Sequence, residues 1–75
     1  MPLPEPALRR FGANVRARRE ARELSQEKLA ELSDLDRTYI SSVERGVRNI
    51  SLLSSIRIAK ALRTTVAALC EGVDR

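Results

Sequence analysis

Seventy-five residues suffice for one domain, which buries only ~60% of the surface its unfolded chain exposes, and leave no room for a second. Hydrophobic residues make up 43% of the chain but aromatics only 3%, so the core must come from Leu, Ile, Val and Ala; histidine is absent and Cys70 is the single cysteine, which excludes an internal disulfide and a zinc site, and no metal or cofactor is expected. The formal charge is +4, and twelve of the fourteen basic residues are arginine, a side chain suited to phosphates and guanine edges.

Met-Pro-Leu-Pro-Glu-Pro opens the sequence without an apolar run, so no signal peptide is expected, and no later segment approaches membrane-spanning length. The reading is a cytoplasmic protein with no membrane partner. Residues 1–6 read as a short extended arm, with Pro6 suited to the first turn of a helix. From Ala7 to about Arg22, Leu8, Phe11 and Val15 recur at helical spacing, and Gly12 costs that helix only ~1 kcal/mol. Six arginines (9, 10, 16, 18, 19 and 22) face Glu20 alone in this stretch, whereas Glu27, Glu31, Asp34 and Asp36 make the next one acidic. Such a local positive field serves either a solvated face or an anionic partner. It fits a membrane surface poorly, because charge surrounds the helix and leaves no broad apolar face.

Ser25 caps a second helix, Gln26 to Ser33, with Glu27 in its first turn and Leu29 and Ala30 inward. After the break Asp34-Leu35-Asp36, Asp36 caps a third helix, Arg37 to Arg45, with Ile40 and Val43 as its buried face and Gly46 just beyond it. Ser51 caps a fourth helix, Leu52 to Leu62, carrying an apolar stripe of Leu52, Ile56, Ala59 and Leu62. Thr65 caps a short fifth helix, Val66 to Cys70, which Gly72 ends. No strand alternation, repeat or low-complexity tract is present, so the fold class is all-α, a compact five-helix bundle.

Two short capped helices joined by a tight turn, at 25–45, form the supersecondary unit that sets its second helix into the major groove of DNA. Once Ile40 and Val43 turn inward, that helix is left with Arg37, Thr38, Tyr39, Ser41, Ser42 and Arg45, all hydrogen-bond donors. Arg pairs bidentately with guanine, and Ser and Thr address several base edges or phosphates. An enzyme is the poorest reading, since there is no histidine base, Cys70 has no base partner, and no carboxylate pair stands out. A helical protein-binding adaptor is the alternative from another class, and a steep loss of affinity with salt distinguishes DNA binding from it.

The segments Leu-Ser-Gln-Glu-Lys-Leu-Ala (24–30), Tyr-Ile-Ser (39–41), Val-Glu-Arg-Gly (43–46), Arg-Asn-Ile-Ser (48–51) and Ile-Ala-Lys-Ala-Leu (58–62) together resemble the Xre/Cro-type helix-turn-helix regulators, which include phage repressors. The resemblance spans Phe11 to Gly72 and implies a lambda-repressor-like DNA-binding domain. Leu-Asp-Arg-Thr-Tyr-Ile-Ser (35–41) followed by Val-Glu-Arg-Gly is most similar to the controller proteins of restriction-modification systems. Carried over by position, the resemblance implies base reading by Arg37, Thr38, Ser41 and Ser42. It implies backbone contacts from Gln26, Tyr39 and Arg45, with Arg48 and Asn49 added from the loop, and a structural ion pair between Arg19 and Glu44. The chain departs from the family in having Glu23 and Arg63 where glycine is frequent, both just past helix ends where positive φ is common, which puts those turns in question. Arg18 and Ser55 stand where leucine is frequent, implying a smaller core, and Ile50 stands in place of a frequent proline.

One recognition helix covers too few bases to be selective, so a homodimer on a palindromic operator, with half-sites ~34 Å apart, is expected. Residues 51–72 supply the candidate dimer contact, with Leu52, Leu53, Val66, Leu69 and Cys70 offering apolar area. RNA polymerase is a further candidate partner. Without a sensing domain, regulation is expected to follow protein concentration, as activation or repression of the protein's own operon. Within the same class the alternative role is a phage-type or antitoxin-linked repressor.

Overall fold

The computed structural model describes residues 5–75, and four of its five helices begin where a side-chain oxygen accepts a backbone amide of the first turn. The order is α1 (Pro6–Ala21), α2 (Gln26–Ser33), α3 (Arg37–Glu44), α4 (Leu52–Ala61) and α5 (Val66–Leu69), with no strand among the described residues. Ser25 Oγ accepts the Lys28 N–H at 2.9 Å, Asp36 Oδ1 that of Thr38 at 2.7 Å, Ser51 Oγ that of Ser54 at 3.1 Å and Thr65 Oγ1 that of Ala68 at 3.0 Å. All four expected caps are in place. α1 has no side-chain cap and starts instead on Pro6, whose missing N–H is no loss at the first helical position. Pro6 thus opens α1, as its fit to a first turn implied, Glu5 before it is extended, and residues 1–4 of the expected arm lie outside the described residues.

Helices α1, α3, α4 and α5 each end one residue earlier than the sequence suggested. Arg22, Leu62 and Cys70 are C-caps with ψ of 4°, 1° and 7°, so their backbones have already left the helix, while the C-cap Arg45 keeps a right-handed backbone with ψ −7°. The first four helices close by one device, in which the next residue turns left-handed and its neighbour's N–H reaches back to the last turn. Leu24 N–H donates to Arg19 O at 3.1 Å, Leu35 to Ala30 O at 2.9 Å, Val47 to Ser42 O at 3.1 Å and Thr64 to Ala59 O at 2.9 Å. The left-handed residues are Glu23 (φ 57°), Asp34 (φ 57°), Gly46 (φ 75°) and Arg63 (φ 55°). Glu23 and Arg63, the positions in question, thus adopt positive φ without glycine.

Phe11 and Val15 of α1, Leu29 and Ala30 of α2, Ile40 and Val43 of α3, Ile58 and Ala59 of α4, Leu62 and Leu69 form one core. α2 packs on α3 and α4, while α1 crosses α3 and meets α5. The buried face of α4 corrects the predicted stripe. Ser55, Ile58, Ala59 and Leu62 turn inward, whereas Leu52 is 70% exposed and Ile56 only half-buried. Ser55 fills the position expected to thin the core, and its hydroxyl is satisfied by donating to Ser51 O at 2.9 Å.

Gly12 also means more than a weak point in a helix. A Cβ there would collide with the Val43 carbonyl oxygen and lie 2.8 Å from that of Glu44, so α1 crosses the end of α3 backbone against backbone. Two further ties hold α1 to the C-terminal turn. Asn14 Nδ2 donates to Leu69 O at 2.8 Å and Glu71 O at 2.9 Å, and Arg10 Nε to Glu71 O at 3.3 Å.

Candidate nucleic-acid interface

α3 is fixed from beneath and bare above. Ile40 and Val43 are 0% and 2% exposed, while Arg37, Thr38 and Arg45 are exposed and Ser41 is half-buried. The Asp36 cap orients the first turn, so Arg37 and Thr38 project from the N-terminal end of the helix and Ser41 from the next turn. A row of donors on a rigid, capped helix matches base edges better than the same groups on a loop, because ordering them at contact costs little further entropy.

Ser42 does not belong to this row. It is 7% exposed, donates to Tyr39 O at 2.8 Å and accepts from Arg48 Nε at 3.3 Å. It lies off the Ile40–Val43 axis and is covered by the chain returning from the helix, where Val47 bonds its carbonyl and Arg48 its hydroxyl. Its expected base-reading role is corrected on that ground. Tyr39 is half-buried, packs against the core and carries the Arg48 guanidinium 4.8 Å from its ring centroid. Asn49 is exposed beside them, and Val47, which sequence reasoning passed over, is 53% exposed in the same loop.

Arg19 and Glu44 meet as expected. Nε and Nη2 of Arg19 donate to the two carboxylate oxygens at 2.6 and 3.0 Å, and Nη1 donates to Leu24 O at 2.7 Å. The side chains are 12% and 3% exposed. The hydrogen bond to Glu44 raises the Arg19 pKa above its already high ordinary value, with the negative charges of Glu44 and Glu20 adding to it and burial working against it. The cluster has a third member. Gln26 Nε2 donates to Glu44 Oε1 at 3.1 Å, so one amide proton is engaged and the other is left for an outside acceptor at the N-terminal end of α2.

At the opposite end, Leu52 and Leu53 are 70% and 68% exposed. Leu52, Val66 and Cys70 border an open apolar groove of about 320 Å³ whose floor includes Phe11. Leu69, expected among the contact residues, is 0% exposed and fully enclosed by the core, so it has no surface to offer a partner. Among the described residues no helix is long and apolar enough to cross a membrane.

Residues 15–69 match the helix-turn-helix family. The chain is 57% identical over 56 residues to control protein C.SmaI of Serratia marcescens, covering 75% of this chain and 67% of that one. The crystal structure of the restriction-modification controller protein C.AhdI from Aeromonas hydrophila is 48% identical, covers 83% of this chain and 94% of its own, and superposes with a TM-score of 0.81. The controller protein C.Esp1396I, solved as a tetramer in complex with its natural 35 base-pair operator, is 33% identical, covers 93% of this chain and 92% of its own, and has a TM-score of 0.82. These are transcription regulators and not an enzyme class. With 55 of its residues inside the family's pattern, and with 57% and 48% identity to controller proteins over most of its length, this chain belongs to the helix-turn-helix family and, within it, to the restriction-modification controller proteins.

Proposed function

We propose that the protein is a cytoplasmic, sequence-specific regulator that binds duplex DNA as a homodimer and controls its own operon according to its concentration. The observation that carries this reading is the exposed donor face of α3, Arg37, Thr38 and Ser41, mounted on a buried and capped scaffold. In this reading the unit at 25–45 lies across the major groove, with these three side chains at base edges. Gln26, Arg45, Arg48 and Asn49, with Tyr39 supporting Arg48, engage the sugar-phosphate backbone. Gln26 does so with its second amide proton, at a helix N-terminus whose free N–H groups also favour a phosphate. Residues 51–72 carry the subunit contact through Leu52, Leu53, Val66 and Cys70. RNA polymerase is the partner through which activation of the operon would run.

Footprinting on the DNA upstream of the protein's own gene tests the reading. Protection of two symmetric half-sites, lost steeply as salt rises, is the expected result, because each neutralised phosphate releases counterions. Binding that is insensitive to salt or to sequence would replace the regulator by a protein-binding adaptor. Within the footprint, Arg37→Ala costs ~1–3 kcal/mol and relaxes preference at one base position, whereas Gln26→Ala weakens binding to all sequences alike. A competition series with single-base operator variants separates the two patterns.

A further inference from the structure

Ser42 is the one hydroxyl of α3 that is both buried and doubly bonded, and it joins the preceding turn of its own helix to the loop that follows. Its hydroxyl donates to Tyr39 O at 2.8 Å and accepts from Arg48 Nε at 3.3 Å. A hydroxyl has one proton and two lone pairs, so both bonds are made together. Arg48 itself is an exposed loop residue, the kind of side chain that ordinarily keeps most of its rotamer freedom in the folded state. Here it is held twice, its guanidinium carbon 4.8 Å from the Tyr39 ring centroid and its Nε on Ser42. The guanidinium lies over the Tyr39 ring and Ser42 occupies Nε. The terminal nitrogens Nη1 and Nη2 bond no acceptor among the described residues, and they are the pair that pairs side by side with a phosphate.

We propose that Ser42 is a positioning residue for DNA binding, whose buried hydroxyl locks Arg48 against Tyr39 so that Nη1 and Nη2 stand ordered toward a backbone phosphate before the duplex arrives. This rests on the DNA-binding reading above. Ser42 touches no DNA in it. Its effect is to remove in advance the disorder that Arg48 would otherwise lose on binding.

The test is a set of four proteins, the parent, Ser42→Ala, Arg48→Ala and the double variant, titrated with the upstream operator duplex. Ser42→Ala is expected to bind roughly three- to tenfold more weakly, the loss that follows from freeing one rotamer-rich side chain. Its thermal midpoint is expected to be unchanged or higher, since alanine is the better helix former. In the Arg48→Ala background the same substitution is expected to change affinity by less than about twofold, because distant or uncoupled effects add and coupled ones do not. Equal loss in both backgrounds, or a lowered midpoint accounting for the loss, overturns the positioning role. Parental affinity of Arg48→Ala overturns it too, while leaving the DNA-binding reading intact. If the parent itself ignores the duplex, both fall together. A second measurement needs no DNA: the Arg48 Nε–H resonance is expected to be ordered and slowly exchanging in the parent and averaged in Ser42→Ala, and an averaged signal in the parent sinks the proposal.

Discussion

Glu23, Asp34 and Arg63 each hold a left-handed backbone, with φ of 57°, 57° and 55°, where Gly46 does the same job with φ 75°. A side chain in this region costs ~1–2 kcal/mol, somewhat less for aspartate, whose short polar group bonds locally. Close approach separates the Gly46 turn from the others. A Cβ on Gly46 would lie 2.6 Å from the Arg9 Cα, and backbone cannot swing aside. Arg63 is exposed and meets no such demand. Arg63→Gly is therefore expected to stabilise the fold by up to about 1 kcal/mol, the relief of strain less the ~0.5–1 kcal/mol of freedom glycine adds to the unfolded chain. Its thermal midpoint should rise by about 4–8 °C per kcal/mol gained. Gly46→Ala is expected to move the other way by ~1–3 kcal/mol, as overpacked sites do. Calorimetry of the two variants reads both signs, and a stabilised Gly46→Ala would contradict the close approach of α1 to the end of α3.

Between elements, the Arg19–Glu44 pair ties the last turn of α1 to the last turn of α3, and Gln26 adds the first turn of α2. Arg19 uses all three nitrogens of its planar guanidinium, on three acceptor oxygens from two residues. An ammonium cannot reproduce that fork. Arg19→Lys keeps the charge yet is expected to lose ~1–2 kcal/mol, the worth of one or two charge-assisted bonds, in urea unfolding. The pH dependence has a definite sign. Because the folded-state pKa of Arg19 is raised, the stability it contributes is fully present below the unfolded value and is lost only as pH rises through the folded one, beyond the working range of the protein. The parent is thus expected to show no loss of stability from this pair between neutral pH and pH 10, whereas Arg19→Lys loses some of its remaining contribution as lysine approaches ~10.4.

What could be read in advance follows the range of each signal. The caps Ser25, Asp36, Ser51 and Thr65 were legible because capping spans only two or three residues, and Ile40 and Val43 because helical spacing fixes one face. The Arg19–Glu44 tie came from family resemblance alone. The face of α4 was misread because two apolar sets overlap on it: Leu52, Ile56 and Ala59 are as regular as Ile58, Ala59 and Leu62. Hydrophobicity does not tell a core-facing leucine from an outward one. Ser42 was misplaced because its burial comes from a loop returning over the helix flank, and Gly12 because a backbone crossing leaves only an absent side chain as its trace.

The Cα atoms of the described residues span 29 × 25 × 22 Å and carry one copy of α3, whereas equivalent major-groove faces one helical turn apart are separated by ~34 Å. In the proposed reading each subunit, with its single α3, reads one half-site. Leu52 and Leu53, about 70% exposed where a core leucine would be hidden, are the apolar surface available for a second copy. Replacing both with glutamate is expected to leave the subunit folded, to shift sedimentation equilibrium to the monomer, and to weaken operator binding. Leu69→Ala is expected to do the reverse, costing ~2–5 kcal/mol of subunit stability through a core cavity. Unchanged mass and affinity in the Leu52/Leu53 double variant would place the association surface elsewhere.

The division of α3 into a bare upper edge and an anchored lower one reaches beyond any single site. Arg37 and Thr38 are exposed and Ser41 is half-open, whereas Ile40, Val43, Glu44 and Gly46 are committed to the scaffold. Substitutions at open positions ordinarily alter stability by no more than ~0.5 kcal/mol. Three letters of the sequence can therefore drift, recombine or be selected without dragging the rest of the molecule with them. With these three side chains at base edges, as proposed, the protein is free to change where it would read and constrained by packing where it stands, so a descendant could acquire a new operator while inheriting its architecture unaltered.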